Sequence, residues 1–129
     1  ALAEAEGRLI NVERAAAAIG NPELKARLTR IAGQGRGMLE QIAERPSDLR
    51  RARRFLTVFL EGAEQVSDGY VRTHHHAASP ELEQSFRNVL VSIEDQFIRQ
   101  RERLRQTDVL DLDVQIEVLK KQLEQEGLR

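Results

Sequence analysis

Apolar residues recur at alternating three- and four-residue steps along almost the whole chain, first as Leu2, Ala5, Leu9, Val12, Ala16 and Ile19, then as Leu24, Leu28, Ile31, Gly35, Met38 and Ile42. This spacing lines side chains along one stripe of an α-helix and leaves the polar residues on the opposite face. A third run, Leu49, Ala52, Leu56, Phe59, Ala63, Val66 and Tyr70, keeps heptad spacing throughout. A fourth uses Leu82, Phe86, Val89, Leu90, Ile93, Phe97 and Leu104, and a short fifth uses Leu112, Ile116, Leu119 and Leu123.

The breaks between runs carry helix-start chemistry. Asn21-Pro22-Glu23-Leu24 and Ser79-Pro80-Glu81-Leu82 each set a capping side chain before a proline at the first helical position, with an acid following. Pro46-Ser47-Asp48 marks a third start, and Asp108, Asp111 and Asp113 a fourth, where carboxylates suit the positive end of a helix. Gly127 supplies a stop. The predicted helices run over residues 2–19, 22–44, 48–73, 80–106 and 112–126, the two longest extending roughly 40 Å at about 1.5 Å per residue. The expected fold is all-α: a single-domain antiparallel bundle over residues 1–129, of about four to five helices, two of them long. Gly33, Gly35 and Gly37 interrupt the second helix, where each costs about 1 kcal/mol relative to alanine. They predict close helix packing or a local break. No strand precedes them, so a phosphate-cradling glycine loop is not favoured.

Composition narrows the class. Of 129 residues, 32% are charged and 40% hydrophobic but only 4% aromatic, the balance of a bundle with an aliphatic core. A formal net charge of -1 gives no overall pull toward nucleic acid, so an electrostatic partner needs a local patch. The absence of cysteine excludes disulfides, thiolate metal sites and cysteine nucleophiles. No apolar run reaches the roughly 20 residues that span a bilayer. The chain opens at Ala1 in a helical pattern without an initiator methionine, which leads to the expectation of a segment upstream.

Four clusters could carry chemistry. His74, His75 and His76 lie between the third and fourth predicted helices, and imidazoles are good transition-metal ligands. Adjacent positions on a helix diverge by about 100°, however, so a polar turn is the better reading. Asp108, Asp111, Asp113 and Glu117 could hold a hard cation through oxygen, but carboxylates at a helix start are well explained as caps. Ser67-Asp68 near Tyr70 is the nearest approach to a nucleophile with a base, and it is incomplete. No catalytic, cofactor-binding or metal residue is therefore assigned. Arg50, Arg51, Arg53 and Arg54, following Arg45, form the strongest basic run and occupy one arc opposite the apolar seam. That arc is a solvated face or a contact for anionic lipid head groups, phosphate or an acidic protein. Arg99, Arg101, Arg103 and Arg105 suit the negative end of the fourth helix.

Two segments carry a family likeness: Arg53-Arg54-Phe55-Leu56-Thr57-Val58-Phe59-Leu60 followed by Tyr70, and Leu110-Asp111-Leu112-Asp113-Val114-Gln115-Ile116-Glu117-Val118-Leu119-Lys120 with Leu123 and Glu126-Gly127-Leu128. Over roughly residues 49–128 the chain resembles the XpaC-type proteins, the 5-bromo-4-chloroindolyl phosphate hydrolysis family, while residues 1–48 match only in helical character. Glu61 stands where that family usually has proline and Gln122 where methionine is common, which suggests a divergent branch. The resemblance implies a cytosolic helical region behind membrane-spanning segments, linked to toxic-anion and envelope-stress proteins. It carries no catalytic residue over to this chain. The expected function is a non-enzymatic interaction module of a membrane-associated protein. Its partner would be a protein or an anionic membrane surface, with self-association left open and no cofactor. The alternative that the family name implies is a phosphate-ester hydrolase.

Overall fold

A computed structural model describes residues 2–44, 50–76, 79–105 and 112–127. Among them are five helices and no strand: α1 (Leu2–Ala18), α2 (Pro22–Glu44), α3 (Arg50–His76), α4 (Pro80–Arg105) and α5 (Leu112–Gln125). The chain is all-α, as its periodicity requires.

The start signals act as expected. Asn21 Oδ1 accepts from the backbone N–H groups of Glu23 (2.9 Å) and Leu24 (3.2 Å) at the head of α2. Ser79 Oγ accepts from Leu82 N (3.2 Å) at the head of α4. After α5, Gly127 takes the left-handed conformation (φ 67°) that ends a helix. One boundary differs by more than two residues. α3 continues through His76 rather than ending at 73, because no residue from Val71 to His76 is a helix breaker. The three histidines therefore form helical backbone instead of an interhelical turn, and their side chains lie outside the described set. Residues 45–49 and 106–111 also lie outside it, and with them Arg45, Leu49, Asp108 and Asp111 of the sequence reading.

Sequential neighbours run antiparallel, and the packing also brings like-directed helices together. α1 lies between α2 and α3, α4 also touches both α2 and α3, and α5 fills the groove between α3 and α4. Cross-helix bonds give the directions. Arg8 pairs with Glu64, while Glu4 lies beside Arg53 and Thr57, so α1 and α3 are parallel. Arg87 pairs with Glu23 and Arg30 with Glu94, so α2 and α4 are parallel as well. The N-terminal ends of α1 and α3 thus share one end of the bundle.

One hydrophobic cluster runs through all five helices, with Leu9, Leu24, Leu28, Ile31, Leu56, Leu60, Leu90, Ile93 and Ile116 fully buried. The few aromatics gather between α3 and α4. Phe55 and Phe59 stack at 4.1 Å, Phe97 meets both edge-on, and Tyr70 stacks on Phe86 at 4.3 Å. α2 is unbroken across its three glycines. Gly35 is buried where a Cβ would stand 2.9 Å from Leu9 and 3.0 Å from Leu60, so the glycine allows α1 and α3 their close approach.

Candidate anion-contact surface

The first two turns of α3 alternate sharply. Ala52, Phe55, Leu56 and Phe59 are buried, whereas Arg50, Arg53 and Arg54 are exposed. The side chain of Arg51 lies outside the described set. Because α1 runs parallel to α3, its first turn comes beside these arginines, and a groove of about 440 Å³ forms between the two helices. Its walls are Glu4, Arg50, Arg53, Arg54, Thr57 and Val58.

The electrostatics of this groove work against folding. α1, α2 and α4 each carry an acid in the first turn, Glu4, Glu23, and Glu81 with Glu83, where it complements the positive end of the helix dipole. The described first turn of α3 has none, and it opens with arginines. Cations there oppose the dipole, an effect of about 0.3 to 1 kcal/mol per charge at an exposed terminus.

Elsewhere on the bundle Arg8, Arg30, Arg36 and Arg87 are neutralised across helices. Arg8 holds Glu64 at 3.1 Å, Arg30 holds Glu94 at 3.0 Å, and Arg36 reaches both Glu13 (2.7 Å) and Glu6 (3.1 Å). Arg87 bonds both oxygens of Glu23 at 2.7 Å, and with help from Arg27 it pulls that carboxyl down to about 2. Among the described residues, no carboxylate lies within ion-pairing distance of Arg50 or Arg53. Thr57 differs in the same way from Thr29. The Thr29 hydroxyl donates to the Lys25 carbonyl at 2.8 Å, whereas no described group bonds the Thr57 hydroxyl on the groove wall.

The other sequence candidates do not converge. Ser67 Oγ is fully buried without a hydrogen-bond partner. Asp68, one residue on, faces a separate open groove of about 680 Å³ with Asn11, Arg14, Glu64 and Arg72. Burial there, and then the charge of Glu64, push the Asp68 carboxyl up. Tyr70 points into the aromatic cluster beside Glu83, and burial raises its hydroxyl pKa. Among the described residues, no base, nucleophile and anion donor share a cleft here. Glu117 is exposed and pairs with Lys120 at 3.7 Å, and the Asp113 side chain lies outside the described set. Among the described residues, no group of three His, Asp or Glu side chains is placed to hold a metal.

Arg101 does not serve the end of its own helix. It crosses to α2, donating to Gln34 Oε1 (2.8 Å) and Gln41 Oε1 (3.2 Å). Sequence reasoning also missed Glu4 and Thr57 as neighbours of the arginines. Thr57 follows from spacing on the same helix face, whereas the only signal for Glu4, the parallel packing of α1 on α3, is non-local.

The family model described as 5-bromo-4-chloroindolyl phosphate hydrolysis protein matches residues 1–119. The chain belongs to the 5-bromo-4-chloroindolyl phosphate hydrolysis family. The family region takes in α1 and α2, which the sequence reading credited with helical character alone, and it ends within α5 at Leu119. Both helices that form the arginine groove lie inside it. No curated protein and no solved structure matches the chain.

Proposed function

We propose that this chain is a helical binding module that lays the head of α3 against an anionic membrane surface. The observation that carries the reading is the state of Arg50 and Arg53. They are exposed at a helix end whose dipole they oppose, and no described carboxylate pairs with them, while Arg8, Arg30, Arg36 and Arg87 are all tied to other helices. No helix among the described residues is long and apolar enough to cross a membrane, so the contact proposed is with the headgroup face. Each basic residue close to an anionic leaflet contributes about 1 kcal/mol, so the four arginines together give about 4 kcal/mol. That corresponds to roughly millimolar affinity, enough to orient a protein held near a membrane by another means.

Co-sedimentation with anionic and neutral vesicles tests this, using the chain and a variant with Arg50, Arg51, Arg53 and Arg54 changed to glutamine. The chain should follow anionic vesicles at low salt and fall off near physiological salt, where the Debye length is about 8 Å. Equal sedimentation of both proteins, or none by either, would remove the reading.

A second reading, phosphate-ester hydrolysis, is favoured by the family's description. Turnover of 5-bromo-4-chloroindolyl phosphate that tracks the pure protein through chromatography, and is lost in a folded Asp111→Ala or Asp113→Ala variant, would support it. Absence of such turnover would leave the binding module.

A further inference from the structure

We infer that the slot between α4 and α5 is a binding site for a small zwitterion, a free α-amino acid held by its ammonium and its carboxylate at once. The slot is separate from the arginine groove and stands independently of it. Ser92, Asp95, Gln96 and Arg99 of α4 face Gln115 and Gln122 of α5 across a cavity of about 120 Å³. Asp95 and Arg99 are one turn apart, acid first, in the order that pairs readily along a helix. Glu23 and Arg27 at the same spacing do pair, at 2.9 Å. Among the described residues, no group pairs with Asp95 or with Arg99. Two opposite charges are therefore left open on one wall, about 6 Å apart along the helix axis. A ligand with a single charge is attracted by one of them and repelled by the other, whereas a zwitterion is attracted by both.

The hydrogen bonding around the slot agrees with this. A serine or threonine inside a helix commonly turns its hydroxyl to the carbonyl four residues earlier, as Thr29 does. For Ser92 that acceptor is the Asn88 carbonyl, which Gln122 Nε2 reaches from α5 at 3.3 Å. No described group bonds the Ser92 hydroxyl, which is left to the slot. Behind the wall, Gln100 is 1% exposed, and its Nε2 donates to Gln96 Oε1 at 3.5 Å while its own Oε1 has no partner. That bond occupies the Gln96 oxygen and leaves the Gln96 N–H donors for a ligand. Arg99 and the Gln96 amide thus supply donors to a carboxylate, and Asp95 and Ser92 Oγ supply acceptors to an ammonium. Buried Phe59 and Leu119 form an apolar floor for a side chain. Drug-sized ligands occupy about 300 to 1,000 Å³, so the slot restricts its occupant to an amino acid with a small side chain.

The test follows NMR signals of the full chain during titration with L-alanine and, separately, with N-acetyl-L-alanine, which lacks the ammonium, and L-alaninamide, which lacks the carboxylate. L-Alanine should give saturable shifts confined to Ser92, Asp95, Gln96, Arg99 and Gln115, and it should slow amide exchange in α5, which the ligand ties to α4. Each analogue should bind about tenfold more weakly, the loss of one hydrogen bond to a charged group. Arg99→Gln and Asp95→Asn, both at exposed positions, should each weaken L-alanine about tenfold at an unchanged thermal midpoint. Asp95→Asn should also close the gap between L-alanine and N-acetyl-L-alanine, an effect that a loss of folding does not produce. Equal binding of L-alanine and N-acetyl-L-alanine by the parent would reduce the slot to an anion contact at Arg99 and overturn the zwitterion site. Shifts spread over the surface, or none with L-alanine, would overturn it as well, and either result leaves the reading of the arginine groove standing.

Discussion

The guanidinium group of Arg101 on α4 occupies the space that a side chain at position 37 of α2 would fill. A Cβ built on Gly37 would stand 2.5 Å from Arg101 Cζ. Gln34 and Gln41 hold the guanidinium there, and Gln41 Nε2 also donates to the Arg101 carbonyl at 3.3 Å. Gly37→Ala should therefore displace the arginine from both glutamines. Alanine gains about 1 kcal/mol in helix propensity, but each hydrogen bond to a charged group contributes about 1.5 to 3 kcal/mol. The net expectation, with both bonds lost, is a loss of about 2 to 5 kcal/mol in urea denaturation, with the Arg101 Nε–H signal shifted. An increase in the urea midpoint would show that the clamp contributes less than the propensity of one residue.

The two other glycines of the run should respond in opposite directions. Gly33 is exposed and a Cβ there meets nothing within 4 Å, so Gly33→Ala should stabilise by about 1 kcal/mol. Gly35→Ala pushes a methyl group against Leu9 and Leu60, both fully buried. Overpacking of this kind costs about 1 to 3 kcal/mol. Urea midpoints of the two variants should fall on either side of the parent, and a shared direction would contradict the packing at Gly35.

α5 is held by a narrow seam. Leu119 is 3% exposed, and a Cβ at Gly62 would stand 3.2 Å from its Cδ2, so the two helices meet almost at the backbone of α3. Leu119→Ala should cost about 2 to 5 kcal/mol and raise amide exchange through α5 before the other helices. An unchanged thermal midpoint would mean that α5 is not part of the cooperative core.

Glu23 supplies an acid-sensitive link between α2 and α4. Its hydrogen bonds to Arg87, and then to Arg27, hold its carboxyl at about 2, below the ordinary 4.5. A depressed folded-state pKa gives stabilisation that is complete above the unfolded value and lost as pH falls through the folded one. Glu23→Gln should therefore lower the urea midpoint near neutral pH. The gap to the parent should close between about pH 4.5 and about pH 2, and it should shrink in salt because the pair is exposed. A gap that stays constant in acid would assign the effect to packing.

Local chemistry was legible in the sequence, and contacts between distant segments were not. Asn21 and Ser79 could be read as caps because a cap bonds N–H groups two or three residues away. The glycine run could be read as a close approach, but not that Leu9 and Leu60 meet at Gly35 while Arg101 covers Gly37. Arg101 looked like a helix-end cation because its glutamine partners are 60 and 67 residues away. The end of α3 was placed early since a histidine run resembles a polar turn, although nothing in it breaks a helix. The exposed arc of Arg50, Arg53 and Arg54 followed from spacing alone. The groove did not, because Glu4 joins it only through the parallel pairing of α1 with α3, helices that are not consecutive in the chain.

Position against total charge is the comparison on which the proposed function turns. Arg14, Lys25 and Arg72 are exposed toward the opposite end of the bundle from the groove, and Lys121 is exposed on α5, outside the groove's walls. Changing these four to glutamine removes the same charge as the change at Arg50, Arg51, Arg53 and Arg54. Sedimentation of both variants and the parent with anionic vesicles at low salt separates the two effects. The groove variant should lose binding while the distal variant keeps it. Equal loss by the two variants would mean that net charge alone draws the chain to the vesicles, and the head of α3 would be ordinary surface.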